Sequence, residues 1–237
     1  MIVVLASRYD ELAQALVARW QPYHAALLTC DDLSVCGWRD FLGHSKTSTA
    51  VVGGREIAAE EISGVLTRVP SIFEQELLHI LPADRAYVAA EMTAFLTSWL
   101  SRLTCPVLNR PTPTSLSGPY WRPEQWTAVA TRLGIPVRPV RRHVALALSA
   151  TETMQQIGEP DGVTVTVVGD CCFGSTNEKV THHAHRLAQA VNVNFLTVQF
   201  SSIASGAQFI GANVWPDLSS DEIADAVITY FHRPPRK

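Results

Sequence analysis

Lysine is almost missing from this chain: 237 residues hold only Lys46, Lys179 and Lys237. Charge of either sign is thin, at 17% against about 25% in an ordinary soluble protein. The net charge is −3 and the isoelectric point lies near 6.2. Without a basic surplus, general nucleic-acid binding is excluded. No apolar run reaches the ~18 residues of a membrane span, so no membrane role is expected. The opening MIVVLASRYDE lacks a basic n-region and a long apolar core, so it reads as a first strand in a cytoplasmic protein rather than a signal peptide. The five cysteines fit neither a disulfide scaffold nor a CxxC zinc ribbon, and reduced thiols are the expectation. Internal repeats and low-complexity tracts are also absent.

The chain does have a globular composition, 47% apolar with a mean hydropathy of +0.09. Its length suits one large or two small domains. A surface short of charge suggests that part of it is covered, so a homodimer is expected. The covered face would include the apolar-rich helix Asp84 to Leu103, which bears Trp99.

Ile2 to Ala6 is a continuous apolar run and reads as a buried strand. Asp10 is placed to cap the following helix, whose stripe is Leu12, Ala13, Leu16, Val17 and Trp20. Ala25 to Cys30 is the next strand. The turn between, Ser7-Arg8-Tyr9-Asp10, holds no glycine, and the dinucleotide fingerprint needs one there. Thr49 to Ile57 reads as a hairpin turning at Gly53-Gly54. Gly64 to Val69 and Cys105 to Asn109 are strands around the long helix. Alternating helices and strands imply an open α/β sheet.

The stretch Asn109 to Pro123 is rich in Pro, Thr and Ser and reads as a linker. A short helix over Glu124 to Leu133 is closed by Gly134. Strands follow at Val137 to Val140, Val144 to Leu148 and Val163 to Val168. A helix capped by Asn177 comes next, then two strands within FLTVQFSSIASGAQFIGANVWPDL. Ser219 with Glu222 fits a capping box for a last helix.

The segments VTVTVVGDCCFGS and FLTVQF…FIGAN together resemble the C-terminal core of ATP-grasp ligases, in particular those that modify ribosomal peptides of the microviridin type. In that family the first strand carries an Asp and the second ends in Glu-x-Asn, and these groups hold magnesium against the ATP phosphates. The matching positions here are Gln199, Gly211 and Asn213. Arg68, Glu91 and Asn109-Arg110-Pro111 resemble the family's first-domain strand end, helix acid and Asn-x-Pro. Gly134-Ile135-Pro136-Val137 resembles the phrase that follows. The resemblance implies a preATP-grasp-like lobe over 1–111, a linker and short helix over 112–136, and an abbreviated ATP-grasp lobe over 137–237. The span from Val137 to Val163 is too short for the family's lid subdomain, and the lid lysines have no counterpart.

Phosphoryl transfer needs cations around the phosphates and carboxylates on the metal. With both depleted, the expected function is a non-catalytic accessory protein in a biosynthetic pathway, with no cofactor. It would bind an acidic peptide, a carrier or a partner enzyme. Seven arginines against one acid between Arg102 and Arg142 suggest an anion-binding groove. Its candidate residues are Arg68, Arg110, Arg122, Arg141 and Arg142, with Asn213 as a neutral partner. One alternative is an enzyme with a reduced nucleotide or acyl-phosphate site. Another is a soft-metal site of Cys171 or Cys172 with His182, His183 or His185. Adjacent cysteines on a strand point in opposite directions, which disfavours it.

Overall fold

A computed structural model describes residues 1–41, 48–139, 162–203 and 206–233. Strands β1 (Ile2–Leu5), β2 (Ala25–Leu28), β5 (Gly64–Thr67) and β6 (Val107–Leu108) form a parallel sheet in the order β2-β1-β5-β6. Crossovers through α1 (Glu11–Arg19) and α2 (Arg85–Arg102) join them. All four residues of β1 and of β5 are buried. Parallel strands covered on both faces have no side to leave polar.

Alternation sorts these side chains onto two cores. Val3, Leu5, Val65 and Val107 face α2, meeting Leu96, Trp99 and Leu100. Ile2, Val4, Leu66 and Leu108 face the other way, onto α1 and the last helix, α5 (Asp221–Phe231). Asp10 caps α1 through Oδ1, which accepts from the Ala13 amide at 3.0 Å. The hairpin of β3 (Thr49–Val52) and β4 (Arg55–Ala58) turns at Gly53 and Gly54, with φ of +58° and +73°. Two consecutive positive φ values define the turn that matches strand twist, and glycine adopts them without strain.

The second sheet is antiparallel, in the order β10-β9-β7-β8. Its strands are β7 (Val163–Val168), β8 (Cys171–Phe173), β9 (Phe195–Phe200) and β10 (Phe209–Asn213). One face carries Val165, Val167, Leu196, Val198 and Phe200 against α3 (Pro123–Arg132) and α4 (Glu178–Ala190). On the opposite face only one end is apolar. There Val168 and Phe195 meet Ala224, Val227, Ile228 and Phe231 of α5. The last helix therefore fills the space between the sheets, packing on Leu66 and Leu108 of the first and Val168 and Phe195 of the second. A Cβ at Gly64 would lie 2.4 Å from Cγ of Phe231, so β5 must begin on glycine for α5 to seat.

The structure alters several expectations. The proposed linker is no free tether: Ser115, Leu116 and Ser117 are buried. The Leu116 amide donates to the Pro70 carbonyl at 2.8 Å, and the Ser117 hydroxyl to that of Val69 at 2.7 Å. Polar side chains that bond backbone can line a buried connector as well as an exposed one. The strand expected from Val137 shrinks to a single parallel bridge with Phe209. The strand expected over Val144 to Leu148, within the region where the resemblance would place a lid, lies outside the described residues. Helix α5 starts after Ser220 instead of Ser219, whose amide and hydroxyl both donate to Asp217.

Asn109 joins the two sheets. It follows β6, is 4% exposed, and uses both ends of its amide. Oδ1 accepts from the Phe195 amide at 2.8 Å and the Asn194 amide at 3.2 Å. Nδ2 donates to the Phe195 carbonyl at 2.8 Å and the Ser117 carbonyl at 3.4 Å.

Candidate functional site

The part of the second sheet that no helix among the described residues covers is polar, and strand register explains why. Thr164, Gln199 and Gly211 stand side by side across β7, β9 and β10. Thr166, Thr197 and Asn213 form the next row. The third pair, Val168 and Phe195, is where α5 takes over. Because side chains alternate, the sequences VTVTVV and FLTVQF put valine and leucine toward α4 and threonine and glutamine toward this open face. The alternation was readable in the sequence, but its consequence, a polar floor, emerges only with the pairing.

The floor opens into a cavity of about 650 Å³. Trp215, Asp217 and Phe173 stand around it. Asn213 Oδ1 accepts from the Trp215 amide at 2.9 Å, which fixes the turn that presents the indole. Trp215 is 43% exposed, a surface offered rather than packed away. The Arg68 guanidinium lies 5.6 Å from its ring centroid, within cation–π range. Two hydrogen bonds to the backbone and hydroxyl of Ser219, then nearby Arg68, hold the Asp217 carboxyl below the usual carboxylate range.

The charges at this site are few and mostly committed. Arg68 donates from Nε to Asp10 Oδ2 at 2.7 Å, and a second nitrogen reaches Oδ1 at 3.3 Å. That fork is 10% exposed and its carboxylate 17%. Neither Gln199 nor Gly211 supplies a carboxylate to the floor. A Cβ at Gly211 would meet nothing within 4 Å, so packing does not force glycine there. Hard divalent cations need carboxylate oxygens, and polyphosphate needs free cations. What the cavity offers is hydroxyls, amides, an aromatic face and the Asp217 carboxylate, groups suited to hydrogen-bonding ligands without negative charge.

The candidate residues divide on inspection. Arg68 and Asn213 meet at Trp215. Arg110 is spent elsewhere: its guanidinium donates to the Leu100 carbonyl at 2.9 Å and the Cys105 carbonyl at 3.0 Å. It thus satisfies backbone acceptors at and just beyond the C-terminus of α2. Arg122 is exposed at the N-cap of α3, and neither it nor Arg110 lines the cavity. Arg141 and Arg142 lie outside the described residues. Glu91 is exposed on α2. Sequence reasoning passed over the threonine rows, Trp215 and Asp217.

Among the described residues no three His, Cys, Asp or Glu side chains converge as metal ligands. Cys172 packs against the α4 core, whereas Cys171 faces Arg233, whose guanidinium lies 3.7 Å from its sulfur. Burial raises the Cys172 thiol above its ordinary pKa. His183 is 9% exposed, and neither ring nitrogen finds a hydrogen-bond partner among the described residues. Burial, then Lys179, Arg186 and His182, pushes its pKa below the ordinary value. The unfolded chain therefore takes up this proton first as pH falls, so folding stability declines below the unfolded value of about 6.5. His183→Leu should flatten the dependence of melting temperature on pH between about pH 7 and pH 5. An unchanged slope would assign that dependence to other groups.

No family model matches the sequence, and no curated protein matches it. Solved structures do. The macrocyclase MdnC of Microcystis aeruginosa MRC, bound to its precursor peptide MdnA, superposes with a TM-score of 0.70 at 11% identity, covering 99% of this chain and 100% of that one. A Chryseobacterium gregarium RiPP-associated ATP-grasp ligase, with ADP and a leader and core peptide, gives 0.65 at 10%, over 95% and 94%. The ATP-grasp ligase PsnB, with a phosphomimetic variant of its minimal precursor, Mg and ADP, gives 0.66 at 16%, over 97% and 98%. The chain has the α/β fold of the peptide-modifying ATP-grasp ligases.

Proposed function

We propose that this chain is an ATP-grasp-like accessory protein, non-catalytic at the family's nucleotide site, that binds a peptide in a biosynthetic pathway, the peptide being free or presented by a carrier or partner enzyme. The observation that carries this reading is the threonine-floored cavity. It lies on the strands that resemble the family's metal-binding strands, with Gln199 and Gly211 at the acidic positions. Three structural neighbours hold precursor peptides, which supports a peptide as the ligand here. Hydroxyls and amides can pair with a peptide backbone, and Trp215 can cover an apolar or cationic side chain. An acidic ligand is less favoured than the arginine count suggested, because Arg68 already pairs with Asp10 and Asp217 adds negative charge.

We further propose that the protein acts as a homodimer through the exposed face of α2, although Trp99, expected on that face, is 2% exposed in the core. That face borders an open groove of about 880 Å³ lined by small residues such as Ala86, Ala90 and Ser101. Sedimentation velocity with a library of fluorescently labelled short synthetic peptides tests both statements. The expected result is a dimer carrying peptide, with peptide lost in a Thr197→Val/Asn213→Ala variant that remains dimeric. A 26.0 kDa monomer would overturn the dimer. Absence of any co-sedimenting peptide would overturn the binding role.

A further inference from the structure

A second constellation, in a cavity that shares no lining residue with the threonine floor, lies at the C-terminal ends of β1 and β2. This is the edge at which open parallel sheets present ligands. Arg8 follows β1; Asp31 and Ser34 follow β2 on one short turn; His79 comes from the loop that leads into α2. Ser34 Oγ lies 2.8 Å from His79 Nε2. On the other side of the ring, His79 Nδ1 lies 3.8 Å from Asp31 Oδ1. Arg8 holds that same carboxylate oxygen at 2.5 Å. Arg8, Asp31, Ser34 and His79, with the 64% exposed Leu78, line a cavity of about 320 Å³.

We propose that Ser34, His79 and Asp31 form a serine acyl-transfer centre that cleaves esters of small acyl groups. A nucleophile on a base, with the base oriented by a carboxylate, is recognised by geometry rather than by fold. The Asp31 carboxylate favours the tautomer with hydrogen on Nδ1, which leaves Nε2 to accept the Ser34 proton. Ser34 Oγ attacks the ester carbonyl carbon while its proton passes to Nε2. The carbon–oxygen bond to the alcohol breaks, and the leaving oxygen takes the proton back from Nε2. Water, deprotonated by the same nitrogen, then attacks the acyl-serine. The products are the carboxylic acid and the regenerated hydroxyl. Arg8 holds the Asp31 carboxylate from the cavity wall, and Leu78 supplies apolar contact for the acyl chain. Asp31 is the positioning residue. The 3.8 Å spacing from His79 to Asp31 is longer than a hydrogen bond, so the ring must shift by about 1 Å to complete the triad.

The test is a pre-steady-state reaction of the full chain with p-nitrophenyl acetate, read as a nitrophenolate burst and by peptide mapping of the acetyl group. The expected result is one acetyl per chain, on Ser34. Ser34→Ala should abolish the burst, and His79→Gln should slow it by about 10²–10⁴-fold. Added imidazole should restore part of the rate in His79→Gly. Asp31→Glu should keep more of the burst than Asp31→Asn. Ser34 and His79 are both exposed, so their variants should keep the wild-type melting temperature. No burst from the wild type, a burst surviving in Ser34→Ala, or acetyl mapped to another residue would each overturn the proposal.

Discussion

A Gln199→Asp/Gly211→Glu variant should bind magnesium where the wild type does not. The two positions are directly paired across β9 and β10, and Asn213 lies one alternation further along the same face. Two carboxylates and an amide oxygen on one face make the kind of oxygen set a hard cation takes, with water completing the shell. Space is available, since a Cβ at Gly211 meets no atom within 4 Å. Without metal the paired carboxylates repel, so the variant's melting temperature should fall, and millimolar Mg²⁺ should restore it. Calorimetric titration should change from no saturable heat in the wild type to a saturable one in the variant. Asn213→Ala on that background should weaken it again. If the variant takes up no metal, the threonine floor is not the counterpart of the family's metal-binding strands.

Asn109→Ala should be the most damaging single polar-to-alanine change in the described structure. It leaves the Phe195 amide, the Phe195 carbonyl and the Asn194 amide without the side chain that meets them. Each unsatisfied buried polar group costs about 1–3 kcal/mol. Water reaching the gap would recover some of this, so a total of about 4 kcal/mol is expected. For a chain of this size that lowers the melting temperature by about 10 °C. Asn213→Ala, at an exposed position, should shift stability by only about 0.5 kcal/mol or less. A loss under about 1 kcal/mol for Asn109→Ala would show that the sheets are held together by α5 alone.

Periodicity made most elements legible. The unbroken apolar run of β1 announced a buried strand, and the apolar-rich stretch around Trp99 announced α2. Asp10 caps as its position suggests, but its second task, pairing with Arg68, joins residues 58 positions apart and leaves no local trace. Arg110 shows the opposite hazard. Seven arginines in one stretch suggested a shared ligand, yet this one bonds carbonyls at and near the end of its own neighbouring helix. Composition counts charges; it does not show which donors are already occupied. The Ser and Thr of the supposed linker misled for a related reason, because those hydroxyls serve buried backbone as readily as water. The threonine rows were present as a two-residue alternation in VTVTVV. Their meaning depended on which strand lay alongside, and pairing between Thr164 and Gln199, 35 residues apart, is not a local property.

The accessory reading depends on the loss of nucleotide chemistry at that floor. Isothermal calorimetry of the wild-type chain with ATP and magnesium measures this directly. The expected result is no saturable heat up to millimolar nucleotide, because Gln199 and Gly211 carry no charge and the Arg68 guanidinium is already paired with Asp10. A micromolar dissociation constant for magnesium-ATP would contradict it and assign nucleotide chemistry to the floor.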